Sequence, residues 1–351
     1  MKNNKNRLLV AAFLAFIGGN LIGAAESGGE LEKWILAQIE ADQMCAQQQG
    51  SAAGGLSWLY GAFGALKQRL VGQQEVDLQD LEAGHFEAQG HRPSMEDASV
   101  MNIGLYGVCD GHGGKWVATY VKDTIVPEFK KNRRELARTF AALEHGARRV
   151  FERKKVAQED PSFQGKSDYT AGTMAVIAHV RPNNHQIDVA FVGDSRAALI
   201  RGDSILAVTR DHRPDEQPEL QRLTEAAQAS NRTLSDFMTK DRKRVHGLPV
   251  SRVLGDFGRK EDLAQIGVQN ALIAVPETDS WDYQPGDVLL LACDGVWDVI
   301  GNAVNEHGKG IAELVAENRG KSAQEIADFV GQEALKRGTR DNVSVVVKLL
   351  R

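Results

Sequence analysis

Two apolar runs in the 351-residue chain close on the same triplet, Cys-Asp-Gly. Gly104-Leu-Tyr-Gly-Val-Cys109 leads into Asp110-Gly-His-Gly-Gly114, and Leu289-Leu-Leu-Ala-Cys293 leads into Asp294-Gly295. Short apolar runs bounded by turn residues read as buried strands. The first ends on Asp110, and the glycines at 111, 113 and 114 let the backbone turn sharply and approach a ligand. Taken alone, that stretch fits a tight turn with an exposed Asp and His as well as it fits a reactive pair. The second copy decides for chemistry, because two strands each delivering an Asp point to one shared site.

Other acids stand at turns or element ends: Glu96, Asp97, Asp298 and Asp341. Any one of them is commonly a turn or cap residue. Several brought together repel one another unless a cation compensates, so bound metal is the simplest reason for convergence. Oxygen-only ligands, with no Cys or paired His at metal spacing, select Mg²⁺ or Mn²⁺ over zinc. Two such ions sharing one Asp would sit about 3.5–4 Å apart and could activate a bridging water for in-line attack on phosphorus. Arg92 is the natural phosphate clamp, since a guanidinium fork meets two oxygens at once.

The charge balance, 42 Lys+Arg against 47 Asp+Glu, gives −5 and argues against a dedicated nucleic-acid binder. The run Lys240, Arg242, Lys243, Arg244 is too short to change that. Cys45, Cys109 and Cys293 are odd in number and form no CxxC, which makes them structural rather than zinc-binding. Residues 1–25 have a basic start, an apolar run over Leu8–Ile17 and small residues before Glu26. That is the layout of an export signal cleaved near Ala24 or Ala25, with periplasmic or secreted protein as the outcome; an uncleaved membrane anchor is the alternative. Residues 26–80 form a separate extension of unread role: a helical spacing over Leu31–Asp42, a flexible Gln/Gly/Ser/Ala linker, and an apolar, aromatic stretch. Residues 8–25 or 56–66 are the candidates for membrane contact.

From 81 onward the texture changes to short strands, Gly/Asp turns and amphipathic helices. Ala98–Ile103, Gly104–Cys109, Thr173–Val180, Ile187–Val192, Ala197–Ile200, Val288–Cys293 and Val343–Leu350 read as strands. Trp116–Phe129, Arg134–Arg149, Pro218–Ser230, Ile311–Asn318 and Ala323–Arg337 read as helices, the second with Leu136, Phe140, Leu143, Ala147 and Val150 at helical spacing. Ile187–Val192 and Ala197–Ile200, joined through Gly193-Asp194-Ser195-Arg196, carry the signature of a hairpin. Strands beside strands, with helices in separate groups, predict an α+β layered domain over 81–351.

These residues also resemble a family. Arg92-Pro-Ser-Met-Glu96-Asp97, Asp110-Gly-His-Gly-Gly114, Gly193-Asp-Ser-Arg-Ala197, Asp294-Gly-Val-Trp-Asp298 and Arg340-Asp-Asn342 occur in the order seen in metal-dependent protein serine/threonine phosphatases of the type 2C family. Asp211-His-Arg-Pro214 and Pro249–Phe257 are also similar. The resemblance covers roughly 81–351 and leaves the first 80 residues unmatched.

It implies an αββα four-layer sandwich of two antiparallel sheets flanked by helices, with a dinuclear Mg or Mn site at one end and phosphoprotein as substrate. Asp110 matches the bridging ligand, and Gly111 the residue that lends its carbonyl. Asp294 and Asp341 match ligands of one ion, and Glu96 a ligand of the other. Asp97 and Asn342 match residues that support the ligands. Arg92 matches the phosphate-binding Arg, and His112 the general acid that protonates the leaving seryl or threonyl oxygen. Asp194 and Arg196 read as hairpin hydrogen-bonders. The family often has a third, weaker metal site, for which the corresponding acids are Asp168 and Asp298. Asp168 lies one residue further from its glycine than in close relatives, and Met174 stands where Thr is usual. The charged stretch Arg210–His246 corresponds to a flap beside the active site; it reads either as a contact for acidic or phosphorylated substrate or as a solvated loop. An active phosphoprotein phosphatase is the reading that the intact ligand set favours. A catalytically inert binding module and a small-molecule phosphatase are the alternatives.

Overall fold

Leu289-Leu290-Leu291-Ala292 offers no polar face, so a strand built from it needs cover on both sides. The computed structural model provides that cover. It describes residues 82–102, 104–156, 169–303 and 308–351, all within one unit, Asp77–Arg351. The expected export segment, the 26–80 extension, Cys45 and Asp168 lie outside the described residues. Among the described residues no helix is long and apolar enough to cross a membrane.

Eleven strands are described: β1 (Ala83–Ala88), β2 (Ala98–Asn102), β3 (Leu105–His112), β4 (Gly172–Arg181), β5 (Gln186–Val192), β6 (Arg196–Arg201), β7 (Ser204–Val208), β8 (Leu254–Gly255), β9 (Glu277–Asp282), β10 (Val288–Ala292) and β11 (Val343–Leu349). One sheet runs β1-β11-β10-β6-β7; the other runs β2-β3-β4-β5-β9, with β8 added against β4. The ladders are antiparallel.

Alternate residues of each central strand fill different layers. Leu289, Leu291 and Cys293 join Tyr106, Val108, Phe191 and Val346 between the sheets. Leu290 and Ala292 face the other way, into a core with α6 (Ile311–Glu317) and α7 (Ala323–Lys336). The second sheet turns Leu105, Cys109, Ala175 and Ile177 toward α1 (Trp116–Lys131) and α2 (Leu136–Val156). The fold is therefore the expected αββα sandwich. Helix ends are set locally: Ser322 accepts from the Glu325 N–H at 3.2 Å while Glu325 accepts from the Ser322 N–H at 2.9 Å, a capping box that starts α7.

Three expectations need correction. The Ile187–Ile200 hairpin does not form, because β5 and β6 lie in different sheets and the chain crosses between them at Gly193–Ser195. That crossing is held by a clamp. The Gly193 N–H donates to His212 Nδ1 at 3.0 Å, and the His212 N–H donates to the Gly193 carbonyl at 2.9 Å. Second, β3 does not stop at Asp110 but runs on to His112 against Gly172, so the turn falls at Gly113 and Gly114, both at positive φ. Third, β1, β7 and β9 escape the periodicity reading; all three are edge strands with one flank unpaired and mixed composition.

Arg210–His246 is not a solvated loop either. Helix α3 (Gln217–Ala229) lies within it, and Leu223, Ala227, Phe237, Met238 and Val245 pack with Met174, Val250, Val253 and Leu263 into a core of their own. The basic run Lys240, Arg242, Lys243, Arg244 is exposed, as are many polar residues around that core.

Leu291 is fully buried between the sheets, whereas Leu206 on edge strand β7 is 48 % exposed. Leu291→Ala is expected to destabilise the domain by about 2–5 kcal/mol through the cavity it leaves. Leu206→Ala should stay within about 0.5 kcal/mol of the parent. Denaturant midpoints at constant m-value measure both.

Candidate active site

β3 and β10 end side by side on the same edge of the sandwich. Asp110, two residues before the end of β3, keeps only 7 % of its surface exposed. Cys293 and Asp294 follow β10 directly, and Asp294 opens the short helix α5 (Asp294–Trp297). The ligand atoms of Asp110, Cys293 and Asp294 all lie within 4.8 Å of one another. Asp110 Oδ2 is buried and has no hydrogen-bond partner.

β11 pairs with β10, so the residues just before it reach the same edge. Arg92 Nη2 donates to Asp341 Oδ2 at 2.5 Å. Asn342 ties down the segment that carries Arg92 and Glu96: its Oδ1 accepts from the Glu96 N–H at 2.9 Å, and its Nδ2 donates to the Gln89 and Ser94 carbonyls at 2.8 and 3.0 Å. Glu96 and Asp341 stand outside the closest group, with Glu96 Oε1 accepting from Ser94 Oγ at 3.0 Å. Asp97 lies half-buried one step further back, where Ser344 Oγ donates to its Oδ2 at 2.8 Å. At Gly111 a Cβ would lie 2.1 Å from the Glu96 carbonyl oxygen, so only glycine lets β3 pass this segment.

A family model described as "Protein phosphatase 2C" matches residues 74–343. The chain belongs to the protein phosphatase 2C family. It is 32 % identical over 273 residues to "Probable protein phosphatase 2C 59" of Arabidopsis thaliana, spanning 75 % of this chain and 78 % of that protein. It is equally similar, over 75 % of itself and 86 % of the relative, to "Probable protein phosphatase 2C 45" of Oryza sativa subsp. japonica. Among solved structures, "Structure of a C.elegans sex determining protein" matches with a TM-score of 0.59 at 22 % identity, over 82 % of this chain and 71 % of that one; this likeness concerns the fold. Phosphatase 2C enzymes are metal-dependent protein serine/threonine phosphatases.

The residues of this phosphatase fit a hard divalent cation. Burial, and then the neighbouring Asp294 and Asp97 carboxylates, hold the Asp110 carboxyl well above the usual range. Burial pushes Asp97 up to about 7, and burial followed by Asp341 pushes Asp294 up to about 6. Such carboxylates are starved of positive charge: Arg92 bonds to neighbouring Asp341 and is half-exposed, and among the described residues no ion pair to Asp110, Asp97 or Asp294 is seen. Cys293 is not a ligand. Its Sγ donates to the Asn342 carbonyl at 3.4 Å and accepts from the Ser344 N–H at 3.2 Å, while burial raises its thiol far above the ordinary value.

Asp194 and Arg196 differ from their expected role. Arg196 Nε and Nη2 grip Asp211 at 2.6 and 2.8 Å, joining two separate sequence motifs into the clamp at the sheet crossing. Asp194 is buried with Oδ1 unpartnered, and burial followed by Asp294 pushes it up to about 8. Asp298 is largely exposed, 3.5 Å from Arg213. One contact had no forecast: His112 Nε2 bonds to Asp256 Oδ2 at 2.6 Å. The carboxylate comes from the Pro249–Phe257 stretch, whose likeness to the family was the only sequence signal there.

Raised carboxyl values mean that the folded metal-free chain binds protons that the unfolded chain has released. Stability must then fall as pH rises from about 4 to about 8, the span from the ordinary carboxyl value to those of Asp294, Asp97 and Asp194. Glu219, held down to about 2, works in the opposite sense below about pH 4.5. The histidines lowered by burial, His212 to about 4 and His179, do so below about pH 6.5, so the carboxyls set the slope chiefly above that. Metal-free protein is therefore expected to melt several degrees higher at pH 5.5 than at pH 8, and Mn²⁺ should raise the midpoint more at pH 8. Differential scanning fluorimetry at the two pH values measures this.

Proposed function

We propose that this chain hydrolyses phosphoserine and phosphothreonine in proteins, using two Mg²⁺ or Mn²⁺ ions held by Asp110, Asp294, Asp341, Glu96 and the Gly111 carbonyl. The observation that carries the reading is the convergence of buried Asp110, whose Oδ2 has no hydrogen-bond partner, with Asp294 at the ends of strands from opposite sheets. When bound, the ions supply the positive charge that activates the attacking water and offsets the phosphate.

The chain's own residues do the rest. Arg92, at the exposed mouth of the site, exchanges its bond with Asp341 for one with phosphate oxygens and orients phosphorus. Asp97 and Asn342 do not reach substrate; through Ser344 and the Glu96 backbone they fix the segment that carries Arg92 and Glu96. His112, at the end of β3, gives a proton to the leaving seryl or threonyl oxygen. The flap core beside β4 supports a protein-sized substrate, with exposed Lys240, Arg242, Lys243 and Arg244 meeting its negative charge.

Asp110→Ala and Asp294→Ala are each expected to abolish Mn²⁺-dependent phosphate release from a phosphothreonine peptide, as should excess chelator. Full turnover in either variant would sink the reading. His112→Ala should slow the peptide about 10²-fold or more while leaving p-nitrophenyl phosphate, whose leaving group needs no proton, nearly unaffected. Steady-state kinetics on both substrates give the ratio.

A further inference from the structure

We propose that Asp256 is a positioning residue for His112, holding Nε2 of the ring so that Nδ1 is the nitrogen that serves the leaving oxygen. This rests on the proton-donor reading of His112 given above.

The geometry around Asp256 is unusual for a residue that only starts a helix. It is the N-cap of α4 (Phe257–Gln265), where an Asp side chain normally accepts from the first backbone N–H groups. Here it makes no capping bond. Its backbone sits in the left-handed region at φ +50°, uncommon for a non-glycine residue though less so for Asp than for most. The side chain is fully buried, and its two oxygens go elsewhere: Oδ2 to His112 Nε2, and Oδ1 to Arg259 Nη1. Arg259 is itself anchored on the Thr170 carbonyl at 3.0 Å.

The backbone explains how a residue 144 positions away reaches His112. β4 lies between β3 and β8, and Gly172 of β4 pairs with His112 on one side and Gly255 on the other. The Asp256 N–H donates to the Ala171 carbonyl at 2.8 Å, and the Gly255 N–H donates to Glu144 Oε2 at 2.8 Å. The imidazole and carboxylate meet across Gly172. A Cβ there would lie 2.1 Å from Asp256 Oδ2 and 2.9 Å from His112 Nε2, inside the space the pair occupies. A bare strand position thus makes room for this hydrogen bond.

With Nε2–H donated to Asp256, the imidazole cannot rotate about its own axis without breaking a buried bond. In the reaction the oxygen of the attacking water forms a bond to phosphorus and gives up its proton to solvent, while the P–O bond to the substrate breaks and its electron pair moves to the seryl or threonyl oxygen. That oxygen takes the Nδ1 proton of the imidazolium, which is left neutral with its Nε2–H still donated to Asp256. Solvent restores the Nδ1 proton.

The test compares kcat on a phosphothreonine peptide and on p-nitrophenyl phosphate at saturating Mn²⁺, for the parent, Asp256→Ala, Gly172→Ala, His112→Ala and the double variant His112→Ala/Asp256→Ala. We expect Asp256→Ala to lose about tenfold or more on the peptide and little on the aryl phosphate. Gly172→Ala should show the same selective loss, with both partners present but pushed apart. In the His112→Ala background, Asp256→Ala should cost nothing further on the peptide, because the two act as one unit. If Asp256→Ala does not fold, Asp256→Asn, which keeps the size and an acceptor oxygen, carries the comparison and is expected to give a smaller selective loss. Equal losses on both substrates, or losses that multiply in the double variant, would show that Asp256 merely ties α4 to β3 and overturn the proposal. Should His112→Ala itself slow both substrates alike, the proton-donor reading falls, and this inference with it; a selective His112→Ala with a non-selective Asp256→Ala sinks the inference alone.

Discussion

The repulsion between carboxylates buried at the ends of β3 and β10 is the constraint from which the rest of the site follows. Asp110 is out of water, lacks a partner for one oxygen and stands beside Asp294, with Asp97 behind. A free chain would relieve this by letting the acids separate. The sandwich prevents it, because each acid is fixed to a strand whose two faces are packed in different cores. The stress is accordingly displaced onto protonation in the metal-free chain, and a divalent cation is the species that removes it.

Rigid supports surround the acids for the same reason. Asn342 uses both ends of its amide to hold the backbone between Gln89 and Glu96. Ser344 anchors Asp97 from β11, and Gly111 allows β3 to run in contact with the Glu96 carbonyl. Together they bring a segment from before β2, the end of β3, the start of α5 and the approach to β11 to one edge, although these lie up to about 250 residues apart along the chain. Small displacements at such a site are costly, so it is built on strands rather than on free loops.

On the other side of β4, the flap is less loop-like than its composition implies. One buried acid in it, Glu219, is held by Arg222 and by Arg252 from the segment that follows, and its apolar residues close a separate core around Met174. Met174, conspicuous in the sequence as a departure from the family pattern, is thereby a packing residue between β4 and the flap. The clamp of His212 on Gly193 and of Arg196 on Asp211 then joins the root of the flap to the point where the chain changes sheets. His212 can accept there because burial drives it to about 4 and keeps it neutral.

What the sequence determined by itself was whatever depends on short range. Apolar runs with no polar face had to be central strands, the run ending on Cys-Asp-Gly had to present an acid at a strand end, and helical spacing set α1, α2 and α7. The acids Asp110 and Asp294 were legible because the same device occurs twice. Only the tertiary structure decided what depends on partners far along the chain. It assigned β5 and β6 to opposite sheets, since Gly193-Asp-Ser is equally compatible with a hairpin and a crossing and the choice rests on His212. It paired the edge strands β1, β7 and β9, whose half-exposed faces leave little periodicity to read. It also gave His112 a buried carboxylate from across β4, a contact that no spacing encodes, because it exists only where Gly172 leaves room between two strands.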